Sequence, residues 1–341
     1  MKNRVRQSSV GPARAMSGMT LIELMISLVL GLLVVGAAVG MFVSNRQVFR
    51  ATDNLSYVQE NGRVAFELMA RELRQAGGTP CSRNIPIVNV LNNAAAWGTN
   101  WGNGVQGFDG NQATGAAAFG SAAGQRVSGT DAIELRSGEA GEVTVEDHKP
   151  NSAQFKVNTT AHNLQDFDIV MVCDFVQASI FQITNVNSSN ATVVHNTGVG
   201  TPGNCSKGLG WANPPLCTTN GTPYAYGPNS VIARLKATAW YIGVSSSDPS
   251  RRSLYQTSLV NSGGSPGTAR QEIAEGVQDM QLEYLVTGQT QYQAATAVTN
   301  WANVAAVRVV LTMQGPENAG TGGVPLVRTI AHTVTLRNRN S

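Results

Sequence analysis

The 25 residues from Met19 to Val43 form one apolar run in which Glu23 is the only charged side chain. About 20 apolar residues suffice for a helix to cross a bilayer, so this run is expected to be a membrane anchor. Residues 1–18 carry Lys2, Arg4, Arg6 and Arg14 and no acid. Basic flanks stay cytoplasmic, which sends the C-terminus outward. No proline occurs between Met19 and Thr79, so nothing stops the helix at the membrane surface. Past Ser44 the pattern turns amphipathic. Val48, Ala51, Leu55, Val58, Gly62, Ala65, Met69, Leu73 and Ala76 recur at steps of three or four and mark one apolar face. Arg63, Glu67 and Arg71 alternate in sign on the other face, as suits an exposed helix. Gly77-Gly78-Thr79-Pro80 supplies the stop. Residues 19–43 thus read as anchor and 44–78 as a continuing spine, one helix close to ~90 Å long at ~1.5 Å per residue.

Composition points the same way. Of 24 basic residues, four lie in the first 18, and without them the remaining 20 face 21 acids. The basic character belongs mostly to that leader, so a nucleic-acid partner is not expected. Charged residues make up 13% of the chain, which suits an exported β-rich protein with long loops. Cys81, Cys173, Cys205 and Cys217 all follow the anchor, with no Cys-x-x-Cys and no nearby His pair, so zinc is not expected. An even count in an exported region favours two disulfides. Three pairings are possible and the sequence does not choose among them. Cys205 with Cys217 is the simplest local pair, and Cys81 with Cys173 would then tie the end of the helix to a strand.

Residues 79–130 are rich in Gly, Asn and Ala, with Trp97 and Trp101 among them, and read as an irregular loop region without a core of its own. Residues 131–341 read as a β-rich globular domain. Strands are expected at Ala132–Arg136, Glu142–Val145, Gln154–Val157, Ile169–Cys173, Ser179–Thr184 and Ala191–His195. After a Pro/Gly-rich interval, Thr201–Pro228, more follow at Val231–Ile242, Ser253–Thr257, Met280–Val286, Ala305–Thr312 and Val327–Leu336. The expected fold class is α+β: a long N-terminal helix packed on an antiparallel β-sheet domain with long loops.

Gly18-Met19-Thr20-Leu21-Ile22-Glu23 stands where the basic leader meets the apolar run. A secretory signal is cut after its apolar segment; this junction resembles instead the class III leader of type IV prepilins and type II secretion pseudopilins. The resemblance implies removal of residues 1–18 by a prepilin peptidase cutting between Gly18 and Met19. It also implies methylation of the new amine on Met19, which stands where those families usually have Phe. The resemblance continues at the other end. Gly276-Val277-Gln278-Asp279-Met280-Gln281-Leu282-Glu283-Tyr284, Val304-Ala305-Ala306-Val307-Arg308-Val309 and Thr333-Val334-Thr335-Leu336-Arg337-Asn338-Arg339 look like the PilW family of type IV pilus minor pilins. Arg63-Val64-Ala65-Phe66 and Glu72-Leu73-Arg74-Gln75-Ala76-Gly77 are similar to the way that family writes its helix. Between roughly 82 and 160 the likeness is weak.

A carboxylate at membrane depth is costly unless paired and marks function by default. Glu23 would be the fifth residue of the mature chain, and there the resemblance implies an assembly role, meeting the N-terminal amine of a neighbouring subunit. The plainer reading is a glutamate close enough to the helix start to reach water. Gly36-x-x-x-Gly40 permits close helix packing but is equally a product of a Gly/Ala-rich span. Gly263-Gly264-Ser265-Pro266-Gly267 fits the nucleophile-elbow pattern, yet it lies in a connector without alternating strands and helices and reads as loop. His148, His162, His195 and His332 are scattered and read as surface or strand histidines. Asp109-Gly110-Asn111 is too short for a calcium loop. Trp97, Trp101 and Trp211 could form a sticky surface, though such residues more often pin loops to a core.

The expected function is that of a minor pilin, not an enzyme, with no cofactor and no metal. It would wait in the bacterial inner membrane with its C-terminus periplasmic, then join the major pilin and other minor pilins on the cell surface. There it would prime pilus assembly, sit at the tip and support twitching motility. Two alternatives remain: a minor pseudopilin of a type II secretion system, or a pilin-like membrane-anchored adhesin.

Overall fold

A computed structural model of the chain describes residues 18–82, 85–102, 104–139, 141, 143–263, 265–320 and 322–338. Most of the leader, residues 1–17, lies outside the described residues, as do Glu142, Gly264 and Arg339 of the motifs and strands above. The chain divides into two units, one ending at Asp53 and the other beginning at Asn54. One helix, α1, spans Leu21–Gln75. In the first unit every residue from Gly18 to Arg50 is exposed. The helix contains a window long and apolar enough to cross a membrane, and nothing in water would compensate so much bare apolar surface.

The second unit is α+β, as expected. After α1 come β1 (Ile87–Asn89), β2 (Val105–Phe108), β3 (Ala132–Gly138), β4 (Val143–Lys149) and β5 (Gln154–Val157). Then follow β6 (Ile169–Cys173), β7 (Ala178–Gln182), β8 (Asn185–Asn187), β9 (Thr192–Val194) and β10 (Val231–Val244). The last five are β11 (Arg252–Asn261), β12 (Pro266–Glu275), β13 (Val277–Val286), β14 (Val304–Gln314) and β15 (Val327–Thr335). A short sheet runs β13-β14-β15, all antiparallel. The other twelve strands form one large sheet centred on β10. The first residues of β10, Val231–Arg234, pair with β6; Leu235–Tyr241 pairs with β3, and Thr238–Val244 with β11. Its β-branched and aromatic text suits a strand covered on both faces.

The apolar stripe of α1 is buried at Val58, Gly62, Ala65, Met69, Leu73 and Ala76. It packs on β13–β15 and on Ile133, Trp240 and Ile242 of the large sheet, forming the main core. Gly62 lets the sheet approach closely there: a Cβ would come 2.5 Å from Ile330 Cδ1, and that side chain would have to turn aside. Gly77 ends the helix with φ 71°, the left-handed conformation that glycine adopts without strain. A second core joins Phe155, Val172, Phe181 and Val193, and a third joins Trp101, Met171 and Ile180.

Four differences from the sequence reading stand out. The stretch 79–130 is not all loop: it holds β1 and β2 and buries Val90, Leu91, Trp101, Val105 and Arg126. The 3-residue β8 and the 10-residue β12 were not expected. Strand β12 is exposed along its middle and pairs with β11 alone, so it has no buried alternation to read. Finally, His148 is a strand histidine, on β4, and His195 follows β9, but the two are not scattered. Both are buried, with their Nε2 atoms 3.2 Å from each other.

Candidate assembly site

At the head of α1 the sequence Thr20-Leu21-Ile22-Glu23 closes a reciprocal capping box. The Thr20 N–H and hydroxyl both donate to Glu23 Oε2 at 3.0 Å, and the Glu23 N–H donates to Thr20 Oγ1 at 3.3 Å. A Thr/Glu pair three apart satisfies donors that a helix start otherwise leaves open. The Ser27 hydroxyl donates to the Glu23 carbonyl at 2.7 Å. Glu23 therefore has a local structural task that the sequence reading did not foresee. Its second oxygen, Oε1, accepts nothing among the described residues, so the carboxylate keeps one face available to an outside donor. Gly18 and Met19 precede the helix and are exposed. A Cβ at Gly31, Gly36 or Gly40 would meet nothing within 4 Å, so these glycines serve no close contact among the described residues.

In the second unit, polar clamps bind the helix to the sheets. Glu72 is the main one. Its Oε2 accepts from Thr238 Oγ1 (2.8 Å) and the Trp240 indole N–H (2.7 Å), and its Oε1 from Gln256 Nε2 and Lys236 Nζ, both 2.9 Å away. Asn54 Oδ1 accepts the Glu317 N–H at 3.0 Å, and the Phe66 ring stacks on His332 at 4.0 Å between centroids. On the exposed face Arg63 pairs with Glu60 and Glu67.

Elsewhere buried polar groups organise loops. Arg126 is fully buried and donates to the carbonyls of Gln112, Asp109 and Thr130. Burial presses its guanidinium below its ordinary value, partly opposed by Asp131. Glu134 and Arg136 form a buried ion pair on β3. Asp109, the start of the fragment set aside as too short for calcium, accepts the N–H groups of Ala295 and Thr296, both at 2.9 Å. That is a capping task. His148 Nδ1 accepts the Tyr226 N–H at 3.1 Å, so its proton sits on Nε2 and is donated to His195. The proton of His195 then falls on Nδ1, which has no partner. All four cysteines are bonded, Cys81 to Cys173 and Cys205 to Cys217. Trp97 is half-buried, Trp101 buried and Trp211 exposed. Among the described residues no group of three or more His, Cys, Asp or Glu could hold a metal ion.

The arrangement is that of an α+β protein whose surplus apolar surface lies at the start of its long helix. Residues 239–338, from the middle of β10 to the end of the described chain, match the family described as type IV pilus-assembly protein W. That match, over the C-terminal 100 residues, supports a PilW assignment and a part in type IV pilus assembly, and the apolar helix fits a membrane-anchored protein. No curated protein and no solved structure matches the chain.

Proposed function

We propose that this chain is a minor pilin of the type IV pilus, an assembly subunit rather than an enzyme. The observation that carries the reading is the bare apolar helix start, Leu21–Arg50, with one carboxylate held in a capping box, in a chain whose C-terminal part matches a pilus-assembly family. A prepilin peptidase cuts between Gly18 and Met19, and the new amine on Met19 is methylated. The subunit then waits in the inner membrane with its C-terminus in the periplasm. It enters a helical stack of major and minor pilins through residues 19–43, and Glu23 receives a neighbour's N-terminal amine on its free Oε1. An ion pair formed there removes much of the cost of a lone carboxylate in lipid. The long loops of the second unit suit few copies at the tip, where the protein primes extension and supports twitching.

The test labels wild-type and Glu23→Ala proteins and compares their abundance in membranes and in sheared pili. Normal membrane abundance with loss from pili is expected for the variant, and wild-type label should concentrate at one filament end. Equal incorporation of both defeats the carboxylate's role, and dense labelling along the shaft defeats the tip placement.

A further inference from the structure

Between the loop after β1 and the disulfide-closed loop Cys205–Cys217 lies a cleft of about 320 Å³. Its lining includes Asn89, Asn100, Trp101, Trp211, Asn213 and Pro215, and no charged side chain among the described residues. That volume is at the low end for small-molecule sites, about 300–1,000 Å³. Trp101 forms part of the wall and is 8% exposed, while Trp211 at the mouth is 49% exposed. A large aromatic left half bare is the unusual feature, because such side chains lose most by facing water.

The polar atoms around it divide into used and unused. The Asn89 amide is occupied, donating to the Thr99 carbonyl at 2.8 Å and accepting the Leu91 N–H at 3.2 Å. The amides of Asn100 and Asn213 and the indole N–H of Trp211 have no side-chain hydrogen bond among the described residues. The Trp211 backbone is held in place, its N–H donating to Gln177 Oε1 at 2.8 Å. Gln177 in turn donates to the Leu209 carbonyl and to Tyr226. The ring is therefore presented by a fixed backbone rather than by a loose loop.

We propose that this cleft binds a neutral saccharide. A sugar ring has one face of C–H groups that packs on an aromatic plane and a rim of hydroxyls that both donate and accept. Trp211 offers the plane, and free amides, each a donor and an acceptor, offer partners for vicinal hydroxyls. The lack of charge in the lining disfavours phosphorylated or acidic ligands, which call for Arg or Lys. The assignment rests on the cleft alone and stands whether or not the chain enters a pilus.

The test uses the full chain in lauryldimethylamine oxide, since a maltoside detergent would itself compete. An array of neutral and acidic glycans is probed first, and each hit is titrated by isothermal calorimetry, a readout that does not depend on Trp211. At least one neutral oligosaccharide should bind saturably. Trp211→Ala should weaken it about tenfold or more, Trp211→Phe should retain most of the affinity, and Phe175→Ala, an exposed aromatic outside the cleft lining, should leave it unchanged. Trp211 is half exposed and its backbone bond survives substitution, so the variant keeps the fold, checked by its melting curve. Failure of every neutral glycan, binding that Trp211→Ala does not weaken, or preference for a proline-rich decapeptide over all sugars would overturn the proposal.

Discussion

Around α1, Val58, Ala65, Met69 and Leu73 meet Met280, Leu282, Val309 and Leu311 in one continuous apolar core. Around β6 and β7 the same unit is built differently. There Cys81–Cys173 and Cys205–Cys217 close loops, Ser179, Gln177 and Tyr226 bond to each other, and Asn204 and Gln182 stitch strand to loop. The first region rests on area removed from water, a term that any apolar residue of suitable size can supply. The second has apolar cores of its own but adds to them specific partners, each of which leaves a buried polar group stranded if its mate is lost. The family match, residues 239–338, covers the strands of the first region and stops short of the second. A packing scheme tolerant of substitution is easier to share across a family than a set of individual bonds.

The largest test of this contrast is removal of the long disulfide. Cys81 and Cys173 are 92 residues apart, and closing a loop of that size stabilises by about 4–5 kcal/mol in the chain-entropy model. A Cys81→Ala/Cys173→Ala protein should lose hydrogen-exchange protection in β6, β7 and β1 while β13–β15 keep theirs. Equal loss in both regions would mean that they unfold as one body and that the contrast is only descriptive.

The converse perturbation is Leu73→Ala. Leu73 is fully buried between helix and sheet, and such truncations cost about 2–5 kcal/mol. Protection should now fall in β13–β15 first, with β6 and β7 protected by their cross-links. The helix face that carries this residue is where the sequence was most informative. Apolar residues at steps of three and four identify Val58 through Ala76, because one buried face of a helix leaves that period in the text. Strands β5 and β6 were legible to the residue for the same kind of reason, as compact apolar or alternating runs between turn residues. The remainder was not, and the reasons are physical. Strand β2 contains Gly107, required because the Tyr284 hydroxyl and Trp301 pack onto its Cα, and a glycine in four residues erases a strand signal. Arg126 looks like a surface cation until the nearby Thr130 carbonyl and those of Asp109 and Gln112, over ten residues back, converge on it. The capping box at Glu23 was legible in principle, since Thr20 and Glu23 have its spacing.

Acidity separates the regions by sign. Burial pulls His148 down to about 4 and His195 well below its ordinary value, with His148 adding to the latter. Against an unfolded value near 6.5, the unfolded chain takes up protons that the folded chain refuses between pH 6.5 and about 4. Stability of the β4–β5–β9 region should therefore be full above pH 6.5 and fall by pH 5, by about 2 kcal/mol from His148 alone, with His195 adding in the same sense. Asp131 behaves oppositely. Burial pushes it up to about 6, against the pull of the Leu282 N–H that it accepts at 2.8 Å. Its folded form holds a proton between pH 3.8 and about 6, so the β3–β13 junction loses stability as pH rises through that window. Region-resolved hydrogen exchange at pH 5 and pH 7, corrected for intrinsic rates, should show β5 and β9 weaker at pH 5 and β13 no weaker. A uniform shift would remove the two histidines as the cause.

The smallest effect concerns the joint. Glu72 lies on the helix of the first region and bonds to β10 and β11, strands of the large sheet. Glu72→Gln keeps one acceptor oxygen, which stays with Trp240 because that indole is 1% exposed and has nowhere else to donate. The new amide NH₂ then faces Gln256, whose own amide can turn over and accept. Lys236 is the partner displaced, and with its side chain 38% exposed it can turn to water. Pairs that reach solvent contribute about 0–1 kcal/mol, so the variant should lose about 1 kcal/mol or less. Glu72→Ala strands the indole N–H and should cost about 1–3 kcal/mol more. Lys236→Met separates the terms: if the charge pair is what Glu72→Gln removes, the double variant should be no less stable than Glu72→Gln alone. Additive losses would place the cost in the Trp240 and Thr238 bonds, and the helix would then be locked to the large sheet by hydrogen bonds as specific as those around β6 and β7.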